Sequence, residues 1–172
     1  MSPSQLHDKS QQLSVQLNNF LLNLDVIQKK RMIGAFAPIQ QEPVWNLSLE
    51  AQLDDFLSFN CFEDQTMFFR KSRLDELVSG SDFGVPILCP KKTALKVSPE
   101  ILLIPGLGFS KNGTRLGRGK GFYDQYLSEH KGLIKIGLCF EEQVLDSLPK
   151  ESHDVDMDFI ITDSKIHRIE RF

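Results

Sequence analysis

The sequence predicts an α/β protein: one domain over residues 1–172, with a mostly parallel central sheet flanked by helices on both faces. Three observations carry this. "ILLIP" at 101–105, "LIKIGLCF" at 133–140 and "DFIITD" at 158–163 are built around continuous apolar stretches, the pattern of strands buried on both sides. Segments of helical spacing separate them, which implies βαβ units. A chain of 172 residues that is 41% apolar suits a single core.

Each element has its own local reason. Ser2 and Pro3 read as the N-cap and first position of a helix, since the missing proline N–H costs nothing in a first turn. Leu6, Leu13, Leu17, Phe20, Leu21 and Leu24 continue that helix at helical spacing. "MIGAF" at 32–36 reads as a buried strand. Asn46 is placed to cap a second helix, with Leu49, Leu53, Phe56 and Leu57 on one face. "MFFRK" at 67–71 reads as a strand, and Gly80 to Gly84 as a loop. Pro86, Pro90 and Pro99 make the following connection irregular. After "ILLIP" come a long glycine loop at 106–121, a helix at 122–130 and the strand "LIKIGLCF". A short helix "EEQVLDSL" at 141–148, the strand "DFIITD" and a last strand in "IHRIERF" at 166–172 complete the order.

Composition removes several function classes. A net charge of −3 argues against general nucleic-acid binding, which needs a basic face. Cys61, Cys89 and Cys139 have neither CxxC nor Cys/His spacing, so structural zinc and a disulfide framework are not expected. The opening "MSPSQLHDKSQQ" has no apolar signal region, and no run has membrane length. A cytoplasmic monomer with no membrane partner is expected.

Against that acidic background the loop at 106–121 stands out. It holds Gly106, Gly108, Gly113, Gly117, Gly119 and Gly121, together with Lys111, Arg115, Arg118 and Lys120, and no acid appears before Asp124. It follows the carboxyl end of a strand, where open parallel sheets bind ligands. It leads into a helix whose amino terminus attracts anions. Glycines let the backbone approach a ligand closely. The pattern points to phosphate, with a solvated cationic surface loop as the competing reading. It matches neither the Walker A spacing nor the dinucleotide G-x-G-x-x-G. Asp124 either complements the helix dipole or holds Mg2+ beside phosphates. Tyr126 reads as helix packing, whereas Phe122 and Tyr123 are placed to flank a planar ligand.

"PGLGFSKNGTRLGRGKGFYDQYL" resembles the signature loop of the 5-formyltetrahydrofolate cyclo-ligase family, also called 5,10-methenyltetrahydrofolate synthetases. The likeness continues through "IGLCFEEQVLDSLPKESHDVDMDFIITD", and upstream through "MFFRKSRLDELVSGSDFGVP" and "GAFAPIQQEP". It implies an ATP-dependent ring closure of 5-formyltetrahydrofolate to 5,10-methenyltetrahydrofolate, releasing ADP and phosphate. It implies that Arg115, Leu116, Gly117, Arg118, Gly119, Lys120, Gly121, Phe122 and Tyr123 line ATP. Ala37, Glu42, Arg118, Lys120 and Phe122 would meet the folate, and Asp124 and Asp154 would hold Mg2+. Lys120, Arg118 and Tyr123 would stand at the reacting groups. By pattern alone, Asp154 is one acid in "HDVDMD" and Glu42 an ordinary loop carboxylate.

The chain departs from the family in three places. Its opening matches the part after the family's basic first helix, so the expectation is either that the true start lies upstream or that this helix and its phosphate contacts have been lost. Phe122 stands where many relatives have tyrosine. "PVWNLSL" replaces a more polar segment after Glu42. These departures favour, as the second reading, a non-catalytic relative that binds folate or nucleotide.

Overall fold

The computed structural model describes residues 1–82 and 85–171. The chain opens with α1 (Pro3–Asn23) and the single turn α2 (Val26–Lys29), followed by β1 (Ile33–Ala35). A 3-10 turn at Ala51–Phe56 leads into β2 (Leu57–Glu63), β3 (Thr66–Lys71), β4 (Val78–Asp82), β5 (Val85–Cys89) and β6 (Lys96–Val97). Then come β7 (Ile101–Pro105), β8 (Gly108–Ser110), β9 (Arg115–Leu116), α3 (Phe122–Glu129) and β10 (Ile134–Leu138). The chain ends with β11 (Val144–Leu145), β12 (Phe159–Ile161) and β13 (Ile166–Arg168).

Eight strands form the main sheet, in the order β13-β12-β10-β7-β1-β2-β3-β6. The five in the middle are parallel, and the pairs β12–β13, β2–β3 and β3–β6 are antiparallel. Alternation along β7 divides the core in two. Ile101 and Leu103 face a cluster with Leu13, Leu17 and Leu21 of α1, and Leu102 and Ile104 face one with Tyr123, Tyr126 and Leu127 of α3. Helices on both faces of a mostly parallel sheet are thus present as expected.

The first helix begins as its sequence dictates. Ser2 accepts from the Gln5 N–H at 3.1 Å, and the Gln5 side chain accepts from the Ser2 N–H at 2.9 Å. This is a closed capping box ahead of Pro3. One stripe of α1 then organises the next connection. Ser10, Ser14 and Asn18 accept from the N–H groups of Val44, Ser48 and Glu50, at 3.1, 2.7 and 2.8 Å.

That stripe is why the helix expected from Asn46 does not form. Side chains four residues apart on α1 hold the backbone at Val44, Ser48 and Glu50, and the Glu50 N–H that a helix capped at Asn46 would turn to the Asn46 carbonyl goes to Asn18 instead. Only the 3-10 turn remains, and Leu57 starts β2 instead of ending a helix. Three further expectations change. "EEQVLDSL" makes a 3-10 turn at Glu141–Gln143 and then β11, which pairs in parallel with β8. The glycine loop itself contains β8 and β9, paired antiparallel. Gly80 lies within β4, in a hairpin with β5, whereas Gly84 falls outside the described residues.

Candidate active site

In the sheet order, β1 connects onward to β2 on one side and β7 to β10 on the other. The carboxyl ends of β1 and β7 therefore flank the point where the winding direction reverses, the usual ligand crevice of such sheets. Two loops leave from there: residues 36–42 after β1, and residues 106–121 after β7. The second ends at Gly121, whose φ of 72° a side chain would strain. Gly121 offers no capping side chain, so the first-turn N–H groups of α3 are directed to this edge.

Arg115 lies at the centre. Its Nε donates to the Pro105 carbonyl at 2.7 Å, and its guanidinium carbon stands 4.9 Å from the centre of the Tyr123 ring. Gly117 packs against the third side, where an added Cβ would lie 2.9 Å from Nη1 and 3.0 Å from Nη2. Burial lowers the Arg115 pKa, while Tyr123, Asp124, Asp154 and Glu42 all favour its cationic form. Tyr123 is 7% exposed, and its hydroxyl accepts from Asn60 Nδ2 at 3.2 Å. Burial raises its pKa far above the ordinary phenol value.

The two loops meet through Glu42. Its Oε2 accepts from the Ile39 N–H at 3.0 Å, and its Oε1 is 3.6 Å from Arg118 Nη2. The Glu42 side chain is only 11% exposed, and burial raises its pKa, with Ile39 and then Arg118 and Arg115 opposing. Ala37 is half-buried on the same loop. Leu116, Arg118, Gly119, Lys120 and Gly121 form an exposed rim, and Gly117 and Phe122 are partly covered behind it. The Phe122 ring lies 4.9 Å from Phe62 of β2, which makes an apolar wall beside the cations.

On the other side of Arg115, ligand atoms of Asp124, His153 and Asp154 all lie within 4.8 Å of one another. Asp124 accepts from the Val155 N–H. Burial raises its pKa, Arg115 lowers it, and the Asp154 charge raises it again. Asp154 also accepts from the Glu151 N–H at 2.8 Å, which anchors the turn. Two carboxylates converging with an imidazole form a donor set suited to a divalent cation, and Mg2+ needs only one or two such carboxylates beside phosphate oxygens.

The structure thus brings Ala37, Glu42, the run Arg115–Tyr123, Asp124 and Asp154 to one edge, although they are far apart in the chain. Sequence reasoning missed Asn60 and Phe62. The signal for both was present: Leu57, Phe59 and Cys61 alternate in the period of a strand, which places Asn60 and Phe62 on the other face. The site is an open groove. Two open hollows are lined mainly by other residues, one of about 370 Å3 beside Asp54 and Lys71, and one of about 480 Å3 that borders the site at His153 and Asp154.

Comparison with known proteins places this geometry in context. A model of the "5-formyltetrahydrofolate cyclo-ligase family" matches residues 3–163. The 5-formyltetrahydrofolate cyclo-ligase of Mus musculus is 40% identical over 67 residues, covering 36% of this chain and 33% of that protein. That of Haemophilus influenzae is 35% identical over 100 residues, covering 55% of this chain and 52% of that protein. The matched stretches therefore span about a third to a half of these relatives. In three dimensions the chain is similar to a 5,10-methenyltetrahydrofolate synthetase of Aquifex aeolicus. The TM-score is 0.80 at 24% identity, over 100% of this chain and 87% of that one. A synthetase of Mycoplasma pneumoniae gives 0.69 at 23% identity, over 95% and 90%.

Proposed function

Because this chain belongs to the 5-formyltetrahydrofolate cyclo-ligase family, we propose that it closes the ring of 5-formyltetrahydrofolate to 5,10-methenyltetrahydrofolate at the expense of ATP, releasing ADP and phosphate. The single observation that carries this reading is the meeting of a cationic glycine loop with a buried carboxylate. Arg115 and Arg118 both act on Glu42 across the groove, so a phosphate binder and a polar ligand pocket share one wall.

The chemistry needs little more than alignment. A formyl amide oxygen is a poor leaving group. Transfer of the γ-phosphoryl to it breaks the bond to ADP and forms an O-phosphorylated formyl group, whose carbon is then electrophilic. The folate N10 lone pair then attacks that carbon, the N10 proton is lost and phosphate departs. In this reading the rim Leu116–Gly121 and the first-turn amides of α3 hold the phosphates, with Lys120 and Arg118 at the transferred group. Arg115 sits behind them as a fixed charge. Glu42 and Ala37 orient the folate, and the Phe62–Phe122 wall shields its ring. Asp124 and Asp154 would hold Mg2+, which when bound neutralises charge on the nucleotide phosphates.

We further propose a single domain acting as a cytoplasmic monomer on small molecules alone, without nucleic acid or membrane. Among the described residues no helix is long and apolar enough to cross a membrane. The test is direct. Purified, folded protein with MgATP and 5-formyltetrahydrofolate should accumulate the absorbance of the methenyl product in step with ADP. Formylfolate binding without ADP release would instead support a non-catalytic binder.

A further inference from the structure

Arg115 is the most constrained cation of the groove, and what constrains it reaches beyond the loop. Its Nε is fixed by the Pro105 carbonyl at 2.7 Å, and one face of the guanidinium lies on the Tyr123 ring at 4.9 Å. The orientation of that ring is therefore the orientation of the charge. Tyr123 is set by α3 at one end. At the other end its hydroxyl takes a hydrogen bond from Asn60 Nδ2 at 3.2 Å. Asn60 is a polar side chain in the middle of β2, a strand whose neighbours Phe59 and Cys61 are buried. A half-buried amide on this strand face would be costly without a partner. Two positions further along the same face of β2, Phe62 packs on Phe122, the residue before Tyr123.

We propose that Asn60 is a positioning residue: through the Tyr123 hydroxyl it holds the ring on which Arg115 rests, and so fixes the charge that faces the nucleotide phosphates. Tyr123 acts in the same chain. At 7% exposure, with its hydroxyl turned to Asn60, it orients Arg115 and does not touch the reacting atoms. This rests on the proposed ATP-dependent activity and adds to it a residue of β2 that belongs to neither loop.

Three full-length variants test it: Asn60→Leu, Tyr123→Phe and the double variant. For each, kcat and KM for ATP are measured. So are the dissociation constants of a non-hydrolysable ATP analogue with Mg2+ and of 5-formyltetrahydrofolate, together with the melting temperature. Each single variant should weaken the nucleotide about tenfold, in the dissociation constant and in KM, with formylfolate binding within twofold of wild type. The double variant should be no worse than the weaker single, because both break one link. Should Asn60→Leu fail to fold, Tyr123→Phe, which removes one hydroxyl, carries the test alone. Unchanged nucleotide binding in a folded Tyr123→Phe protein overturns the proposal. So do losses that multiply in the double variant, or a parallel loss of both ligands with melting temperature. A wild-type protein that neither binds nor consumes ATP would instead sink the functional reading itself.

Discussion

Replacing Gly117 with alanine is the sharpest perturbation of the glycine loop. An ideal Cβ there would stand 2.9 Å from Arg115 Nη1, 3.0 Å from Nη2 and 3.1 Å from Cζ. Ordinary contacts between such atoms begin at about 3.5 Å, so the guanidinium must retreat by roughly 0.6 Å. It cannot do so freely, because Nε is bonded to the Pro105 carbonyl at 2.7 Å and the opposite face lies on Tyr123. A retreat that lengthens that bond beyond about 3.2 Å takes it outside the useful range for N–H···O. A hydrogen bond from a charged group is worth about 1.5–3 kcal/mol. At 1.4 kcal/mol per factor of ten, kcat/KM for ATP should fall by about 10- to 100-fold. Methenyl formation measured at varied ATP reads this out, with the melting temperature as control. The melting temperature should fall modestly as well, because the Arg115–Pro105 bond also ties the loop to β7, while the protein stays folded. A folded Gly117→Ala protein with wild-type kcat/KM would refute the claim that Arg115 is held from three sides at a functional position.

Three other outcomes are expected. Burial raises the Glu42 pKa above its ordinary 4.5, so the folded state binds the proton more tightly than the unfolded chain. Stability from this group is then full below about pH 4.5 and lost as pH rises through the folded value. Glu42→Gln should therefore match or exceed the wild-type melting temperature at pH 7 and lose any advantage below pH 4.5, while formylfolate affinity drops; calorimetric melts across pH check this. Asp154→Asn should raise the Mg2+ concentration for half-maximal ATP binding by about tenfold or more, with formylfolate affinity measured without metal unchanged. Ser14→Ala strands the Ser48 N–H that Ser14 accepts at 2.7 Å. Although alanine favours helix, urea unfolding should show a loss of about 1–2 kcal/mol.

What the sequence made legible was local. Ser2-Pro3 announces a capped helix, and the capping box forms. "ILLIP" is apolar at every position because β7 is sandwiched between two clusters, and the run itself says so. The glycine loop shows its cations and its place between strand and helix in the order of residues. What remained hidden depends on partners distant in the chain. Leu49, Leu53, Phe56 and Leu57 have helical spacing, yet side chains of α1, about 30 residues earlier, pin the backbone leading into them at Val44, Ser48 and Glu50. Val144 and Leu145 become a strand only because Phe109 and Ser110 lie beside them. Asn60 gains a role only through Tyr123, 63 residues later. Hydrogen bonds of that span leave no periodic trace in sequence.

Trp45 is the only tryptophan in the chain. It lies fully buried between Phe36 and Phe59, and its indole N–H donates to the Phe36 carbonyl at 2.9 Å, one residue before Ala37. The molecule therefore carries a built-in optical gauge at the start of the loop that bears Ala37 and Glu42. If a pterin docks against the loop at 36–42 as proposed and shifts it, the indole's surroundings change with it, and emission intensity and wavelength would then report occupancy without any added label.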